Sequence, residues 1–512
     1  MDAAYDVIVV GYGPVGTMLA LLLKEEGMRT LVVSKEREIE RYPRAAHFDD
    51  EIIRVYQAVG LAHLSEEMEN PPRYQYFDKD WTPFLARLFP GGISDQGYQH
   101  DFMFFQPDLE RAMRDRLSDG EGAPVVALGE TVARVWQTDE LAWVEVRDES
   151  GATKAYSAKW LIGCDGAAST VRKSIGSTFD QLAPSHKWYI VDVKLTDLAA
   201  DPGMDQWEYC NPDRIVTYIP LSGPYRRYEF DVKDGETDVD LAGAERTWEL
   251  LSPWLKPGEA IVLRNDIYRF HSLLASRWRE GRLLIAGDAA HLMAPKLGQG
   301  LCNGIRDAAN LAWKIGRVVR GEAAPHLLDS YEAERKGPAR QHIEISAYLV
   351  SQIISKASGE EQSGEPVVEQ IVAPRQVIGD DDLRAHDALA GTLSRQPMLA
   401  NGRRMDDSVG YRFALLAMPS LAGALSASDI RALSALGAVV LRAEDRSLAD
   451  YLTDIDRGAL LVRPDRYIAG SARTSIELSA ILEEARHAYC LWVGAEWLQS
   501  AFQAETEVLL AE

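Results

Sequence analysis

Cysteine is scarce in this chain: there are four in 512 residues, and no two form a Cys-x-x-Cys pair. Four scattered thiols cannot build a disulfide framework, so a reducing, cytoplasmic setting is expected. Long apolar runs are missing as well. No stretch approaches the roughly 20 residues that a membrane-spanning helix needs. Positive charge is in deficit, with 55 Lys and Arg against 78 Asp and Glu, a formal net charge of −23. A field of that sign repels nucleic acid and anionic membranes, so neither is an expected partner. The opening MDAAYDVIVVG has no basic stretch ahead of its apolar run, which speaks against a secretory leader. No metal site is expected. What is present is a 46% hydrophobic share, enough to exclude general disorder. The length suits two to four domains.

The first informative segment is the β-branched run from Tyr5 to Val10, which stops at GYGPVG. An apolar run ending at a glycine cluster reads as a buried parallel strand. A helical pattern follows, ending at Gly27, and a second strand covers residues 30–33. Strand, glycine turn, helix and strand in this order mark a dinucleotide site. Gly11 permits the tight turn, Gly13 lets the backbone approach a pyrophosphate, and Gly16 lets helix and strand pack closely. Pro14 and Val15 open the helix, whose free N–H groups face the anion. An acidic residue about 20 positions on usually bonds the adenosine ribose. Here Ser34 stands in that place, followed by Lys35 and Glu36. A single hydrogen bond from Ser34, a water-mediated one from Lys35, or a reach from Glu36 all remain open. The glycines alone do not separate FAD from NAD.

Two later motifs do. Residues 161–172 read LIGCDGAASTVR, a strand ending in a Cys-Asp-Gly turn. Residues 282–314 read RLLIAGDAAHLMAPKLGQGLCNGIRDAANLAWK. That pattern is a strand, a Gly287-Asp288 turn, a glycine-rich loop and a helix from about Leu301. A carboxylate at a strand end can accept bonds from a polyol chain. A helix start offers unpaired N–H groups and positive dipole to the pyrimidine side of a reduced flavin.

With these three motifs the chain resembles the single-component FAD-dependent aromatic hydroxylases, the class A flavoprotein monooxygenases, over residues 5–335. PRAAHFDDEIIR and CNPDRIVTYIPLSGPYRRYEF are most similar to 3-(3-hydroxyphenyl)propionate 2-hydroxylases. The resemblance implies an α/β fold: a Rossmann-type FAD-binding domain (1–178 and 277–354) with an inserted antiparallel substrate sheet (179–276). A linker (355–406) and a thioredoxin-like C-terminal unit without a redox cysteine pair (407–512) follow. The long helical pattern of residues 326–354 reads as broken around Gly337-Pro338.

The same resemblance implies residue roles. Arg44 would lie over the diphosphate and ribityl region, Gln106 and Asp288 would bond the ribityl chain, and the Val132 backbone would meet adenine. Asp165 belongs to a motif tied to FAD and the nicotinamide cofactor. Pro295, Gly298, Gly300, Leu301 and Cys302 would line the isoalloxazine, with Lys296 standing where relatives often carry an apolar residue. Competing readings make Arg44 a surface ion pair, Gln106 a helix-start neighbour and His291 a packed histidine.

The implied chemistry is reduction of FAD by NADH or NADPH, addition of O2 to give a flavin hydroperoxide, and oxygen transfer to a small phenolic substrate ortho to its hydroxyl. A hydroxyphenyl-alkanoate from aromatic catabolism is the first expectation. Tyr218 and Arg226 are the candidate substrate contacts. Asp49 and His47 are the candidate bases, against a reading in which Asp49 caps the next helix. Because the one Rossmann turn is committed to FAD, the nicotinamide cofactor visits without a domain of its own. A disulfide reductase is rejected, since the first cysteine is Cys164. The alternatives are a tailoring hydroxylase of an aromatic polyketide or other natural product, and a non-catalytic FAD-binding or ligand-sensing protein. Monomer and homodimer stay open.

Overall fold

Tyr5–Val10 lies in the middle of an eight-stranded sheet, paired in parallel with Thr30–Ser34 on one side and Thr153–Gly163 on the other. Leu283–Ile285 extends the sheet in parallel beyond Thr153–Gly163, and Val125–Leu128 beyond Thr30–Ser34. The structure, a computed structural model, describes residues 4–88, 91–241, 243–359, 369–370, 387–444 and 446–490. Val7 to Val10 are buried, which is why this strand carries no polar alternation. Parallel strands end at one edge, so their turns emerge side by side. Cys164 N donates to Val10 O at 2.7 Å and Ala286 N to Gly163 O at 2.9 Å.

A second, nine-stranded sheet is built on the long antiparallel pair Phe179–Leu195 and Ala260–Ala275. Tyr225–Asp231, Ile215–Pro220 and Gln206–Cys210 follow in order. The expected boundaries 179–276 do not contain it. Arg73–Asp78, Pro83–Leu88, His291–Leu292 and Glu369–Gln370 also join, and Arg73–Asp78 pairs in parallel with Gln206–Cys210. These additions cover what would otherwise be an open edge strand. One face buries Trp207, Tyr218, Tyr228 and Phe230 against Leu251 and Leu255. The other carries Glu208, Thr217 and Glu229 around the ammonium of Lys296.

Helix Asp329–Ser358 runs unbroken through Pro338, contrary to the break expected there. Proline removes one backbone donor, but Tyr331, Arg335, Ala339, His342 and Ile343 are buried on either side of it. That packing holds the helix through the missing bond.

The linker expectation is also revised. Residues 355–358 belong to this helix. Within 387–406, Ser394 and Gln396 are buried and bonded to Arg54 and Gln96 of the N-terminal part of the chain. Residues 360–368 and 371–386 of that span lie outside the described residues, as do 491–512 of the tail. The C-terminal sheet runs Val439–Arg442, Ala414–Ala417, Ala459–Val462, Ile468–Ala472, the first pair parallel and the others antiparallel. Ala427–Leu436 and Ser475–Tyr489 pack together on it. Among the described residues no helix is long and apolar enough to cross a membrane.

Candidate functional site

Three turns meet at the edge of the parallel sheet. Gly11 has φ +110°, and a Cβ there would lie 2.2 Å from Cys164 O. A Cβ on Gly16 would lie 2.1 Å from Gly11 O. These two glycines are required by backbone approach, whereas Gly13 faces open space, with nothing within 4 Å of its would-be Cβ. Helix Pro14–Glu25 starts at Gly13 with no side-chain cap and no acidic residue in its first turn. Its unpaired N–H groups therefore face the opening and favour an anion. Val15 packs on Gly287 and Gly304, which ties the first turn to the third motif.

Asp288 lies beside this opening. Its carboxylate is exposed and takes no hydrogen bond or ion pair from the described residues. Surrounding protein nevertheless raises its carboxyl above the usual range, while His291 and Arg44 pull the other way. An acid that is reachable yet crowded by protein is what the floor of a cleft produces. The turn that presents it is held by Asp307, a residue the sequence reading passed over. Asp307 accepts from Gly287 N at 3.0 Å, His291 at 2.7 Å and Arg335 at 3.0 Å. Burial opposes its charge, but these partners, His291 foremost, bring its carboxyl below the usual range. His291 is thus a packed histidine.

Several expected contacts are committed elsewhere. Both oxygens of Asp165 are taken, by Ser169 Oγ at 2.5 Å and by Thr170 N at 2.7 Å, so it shapes its own turn. The carbonyl of Gln106 accepts Arg44 N and Ala45 N, both at 2.8 Å, and its amide donates to Glu110. Gln106 holds the backbone that carries Arg44; its carbonyl does not point at a ligand. Arg44 itself is exposed, with one 3.4 Å contact to Glu40. Ser34 is buried and caps Glu36 N at 3.2 Å; Lys35 is exposed and pairs with Glu36. Val132 sits at a register shift opposite Val146.

The other side of the opening is the turn Pro295–Leu297 and helix Gly300–Val319. Gly298 adopts φ +68°, and a Cβ there would lie 2.7 Å from His47 Nδ1. Leu301 is half-buried, and the Cys302 thiol points back to Gly298 O at 3.6 Å. The two proposed bases are corrected here. His47 is buried between Asp101 at 2.7 Å and Gly298 O at 3.2 Å. Asp49 caps its helix through Ile52 N at 3.3 Å and pairs with Arg306 at 2.6 Å. Both side chains are thus held by protein partners, His47 against the carbonyl of Gly298 and Asp49 against Arg306.

Tyr218 and Arg226 are corrected as well. The Tyr218 hydroxyl donates to Gly203 O at 2.8 Å, and Arg226 pairs with Asp201 and with three backbone carbonyls. They face the hydrophobic side of the second sheet. One residue over, Thr217, Arg227 and Glu229 face the opposite side, since strand neighbours alternate. Arg227 pairs with Asp192 at 2.7 Å and donates to the carbonyls of Pro43 and Arg44. Lys296 turns away from the opening into this wall. Its Nζ lies 2.6 Å from Thr217 Oγ1, 3.3 Å from Glu208, 3.4 Å from Glu229 and 3.9 Å from the Trp188 ring centre. The Tyr74 hydroxyl donates to Glu208 at 2.8 Å. Burial raises the Glu208 carboxyl, against the opposing pull of Lys296. The only trace of this cluster in the sequence was charge in the middle of strands that had to be buried.

The family described as FAD binding domain matches residues 4–346. The chain is 36% identical over 355 residues to a 3-(3-hydroxy-phenyl)propionate/3-hydroxycinnamic acid hydroxylase of Mycolicibacterium smegmatis, a match covering 69% of this chain and 62% of that protein. The match thus spans less than two thirds of that relative's length. A probable NADH-specific resorcinol 4-hydroxylase of Rhodococcus jostii is 29% identical over 512 residues, 94% of each chain. A solved ternary complex of aklavinone-11 hydroxylase with FAD and aklavinone has the same fold, with a TM-score of 0.77 at 21% identity over 96% of this chain and 99% of that one. With the glycine turns, the open acid and the family match in agreement, this chain belongs to the FAD binding domain family.

Proposed function

We propose that the chain is an FAD-dependent monooxygenase that consumes NADH or NADPH and hydroxylates a small phenol ortho to its hydroxyl. The observation that carries this reading is Asp288, an exposed acid that takes no hydrogen bond or ion pair among the described residues and stands where three glycine turns converge. In this reading the helix start at Gly13 holds the pyrophosphate and Asp288 bonds the ribityl hydroxyls. Residues 295–300 and the start of helix Gly300–Val319 face the isoalloxazine. When bound, FAD supplies the acceptor for a nicotinamide hydride and the site of dioxygen activation. The chain's own contribution is position and polarity. The helix start stabilises negative charge on the pyrimidine side, and the polar wall of the second sheet orients the phenol.

Two substrate classes are distinguished by the wall. Similarity to the Mycolicibacterium enzyme supports a hydroxyphenyl-alkanoate. A neutral dihydroxybenzene is supported by the match to the Rhodococcus enzyme over 94% of each chain and by the commitment of Arg227. Its guanidinium is already paired with Asp192, whereas a carboxylate-bearing substrate calls for an available arginine. The test is a panel of phenolic acids and dihydroxybenzenes scored for stimulated NAD(P)H oxidation under labelled dioxygen. Label in a hydroxylated product supports the reaction, and label from water instead rejects it. Stimulation by phenolic acids alone would reject the neutral-substrate reading.

A further inference from the structure

The loop between strands Ala459–Val462 and Ile468–Ala472 is buried from Arg463 through Tyr467, although three of its five residues are charged. Hairpin loops normally lie at the surface, where water satisfies their polar groups. Here protein supplies the partners. Arg463 pairs with Glu334 at 2.7 Å, and Asp465 accepts from Asn310 at 3.0 Å. Arg466 pairs at 2.8 Å with Asp406, which Arg54 also holds at 2.6 Å. Arg466 has φ +70°, a conformation that a residue with a side chain keeps only when its surroundings impose it.

Tyr467 begins a continuous buried path. Its hydroxyl donates to Glu51 Oε1 at 2.8 Å, and Glu51 Oε2 accepts from Arg306 Nε at 2.7 Å. Arg306 then donates to Gln299 Oε1 at 2.9 Å and to Asp49 at 2.6 Å, while Gln299 Nε2 donates to Asp49 at 3.0 Å. Tyr467, Glu51, Arg306 and Gln299 are each no more than 6% exposed. Gln299 is the N-cap residue of helix Gly300–Val319, immediately before the N–H groups assigned above to the isoalloxazine.

We infer that the C-terminal unit is a working part of the flavin site: loop 463–467 fixes the start of the flavin-facing helix through Tyr467, Glu51, Arg306 and Gln299. The inference rests on the placement of the isoalloxazine under the proposed function. Tyr467 is a positioning residue in it. Without its hydroxyl, Glu51 Oε1 loses a buried donor, and the carboxylate turns with Arg306 and Gln299. The helix start then meets the pyrimidine side less well, which weakens binding and stabilises the reduced flavin less.

The test compares three holoenzyme variants: Tyr467→Phe, Glu51→Gln and, as control, Tyr451→Phe. Tyr451 also lies in the C-terminal unit, and its hydroxyl accepts Arg395 N at 3.2 Å. FAD affinity by fluorescence quenching, the visible flavin spectrum and the flavin midpoint potential are measured. Tyr467→Phe and Glu51→Gln are expected to weaken FAD binding by about three- to tenfold, the equivalent of one hydrogen bond. Both should shift the spectrum and lower the potential, while Tyr451→Phe leaves all three at wild-type values. Wild-type affinity, spectrum and potential in Tyr467→Phe overturn the inference, as does an equal shift in Tyr451→Phe. If Tyr467→Phe does not fold, Glu51→Gln decides by the same criteria. Failure of the wild-type protein to bind FAD at all would instead reject the proposed function.

Discussion

A methyl group of Val15 lies 2.4 Å from the place a Cβ on Gly304 would occupy. The helix that opens the phosphate turn and the helix that faces the flavin can therefore meet only where one of them lacks a side chain. The α-carbon of Gly287 stands 3.3 Å from the same point, so the site is closed on a second side by backbone.

Gly304→Ala is accordingly expected to push the two helices apart. Overpacking of this kind costs about 1–3 kcal/mol. FAD retained through purification should fall together with the unfolding midpoint. A variant as yellow and as stable as wild type would show that the contact is loose.

Asp288 takes no hydrogen bond or ion pair among the described residues, so its removal should separate binding from folding. Asp288→Ala is expected to lose most bound FAD while the apoprotein unfolds within about 0.5 kcal/mol of wild type, as surface substitutions usually do. Asp288→Asn, which can still accept a hydrogen bond, should retain more cofactor than Asp288→Ala. Equal flavin content in all three proteins would remove Asp288 from the site.

Lys296 pairs with the buried carboxylates of both Glu208 and Glu229. Removing one partner of such a group leaves uncompensated charge and costs about 3–5 kcal/mol. Lys296→Met should therefore be severely destabilised in urea, and adding Glu208→Gln and Glu229→Gln should recover most of the loss. No recovery in the triple variant would mean that Lys296 acts through packing on Trp188.

Glu26 offers a test in pH. It lies against helix Gly300–Val319, where a Cβ on Gly316 would meet its carboxylate, and it pairs with Arg320 at 2.8 Å. Burial pushes its carboxyl up to about 7, against the opposing pull of Arg320. A raised carboxyl favours folding most below its unfolded value, and that contribution is lost as pH climbs toward 7. Glu26→Gln should match wild type near pH 4.5 and exceed it by about 1–3 kcal/mol near pH 8. A gap that is constant with pH, or of opposite sign, would show that the ion pair outweighs burial.

The turns were legible because their causes are local. A φ of +110° at Gly11 or +68° at Gly298 is a demand the backbone makes at one position, and glycine answers it there. The second sheet's strands were legible for the same kind of reason, since period-two alternation is written within each segment. Which side of the alternation packs on Trp254 and Leu255 and which surrounds Lys296 was not. Arg226 and Arg227 are neighbours of identical type, and only the tertiary structure assigns them to opposite faces, one paired with Asp201 and the other with Asp192.

The primary structure was thus sufficient for the phosphate turn and its two flanking strands, which lie within about 30 residues of one another, and for the identity of the family, which rests on motifs each written in a short stretch of sequence. Packing alone gave His47 and Asp49 their partners, because Gly298 and Arg306 lie about 250 positions away in the chain. The bond from Tyr467 to Glu51 spans 416 positions. No pattern near either residue announces the other, and the two meet because a buried polar hairpin must find its hydrogen bonds in protein once water is excluded.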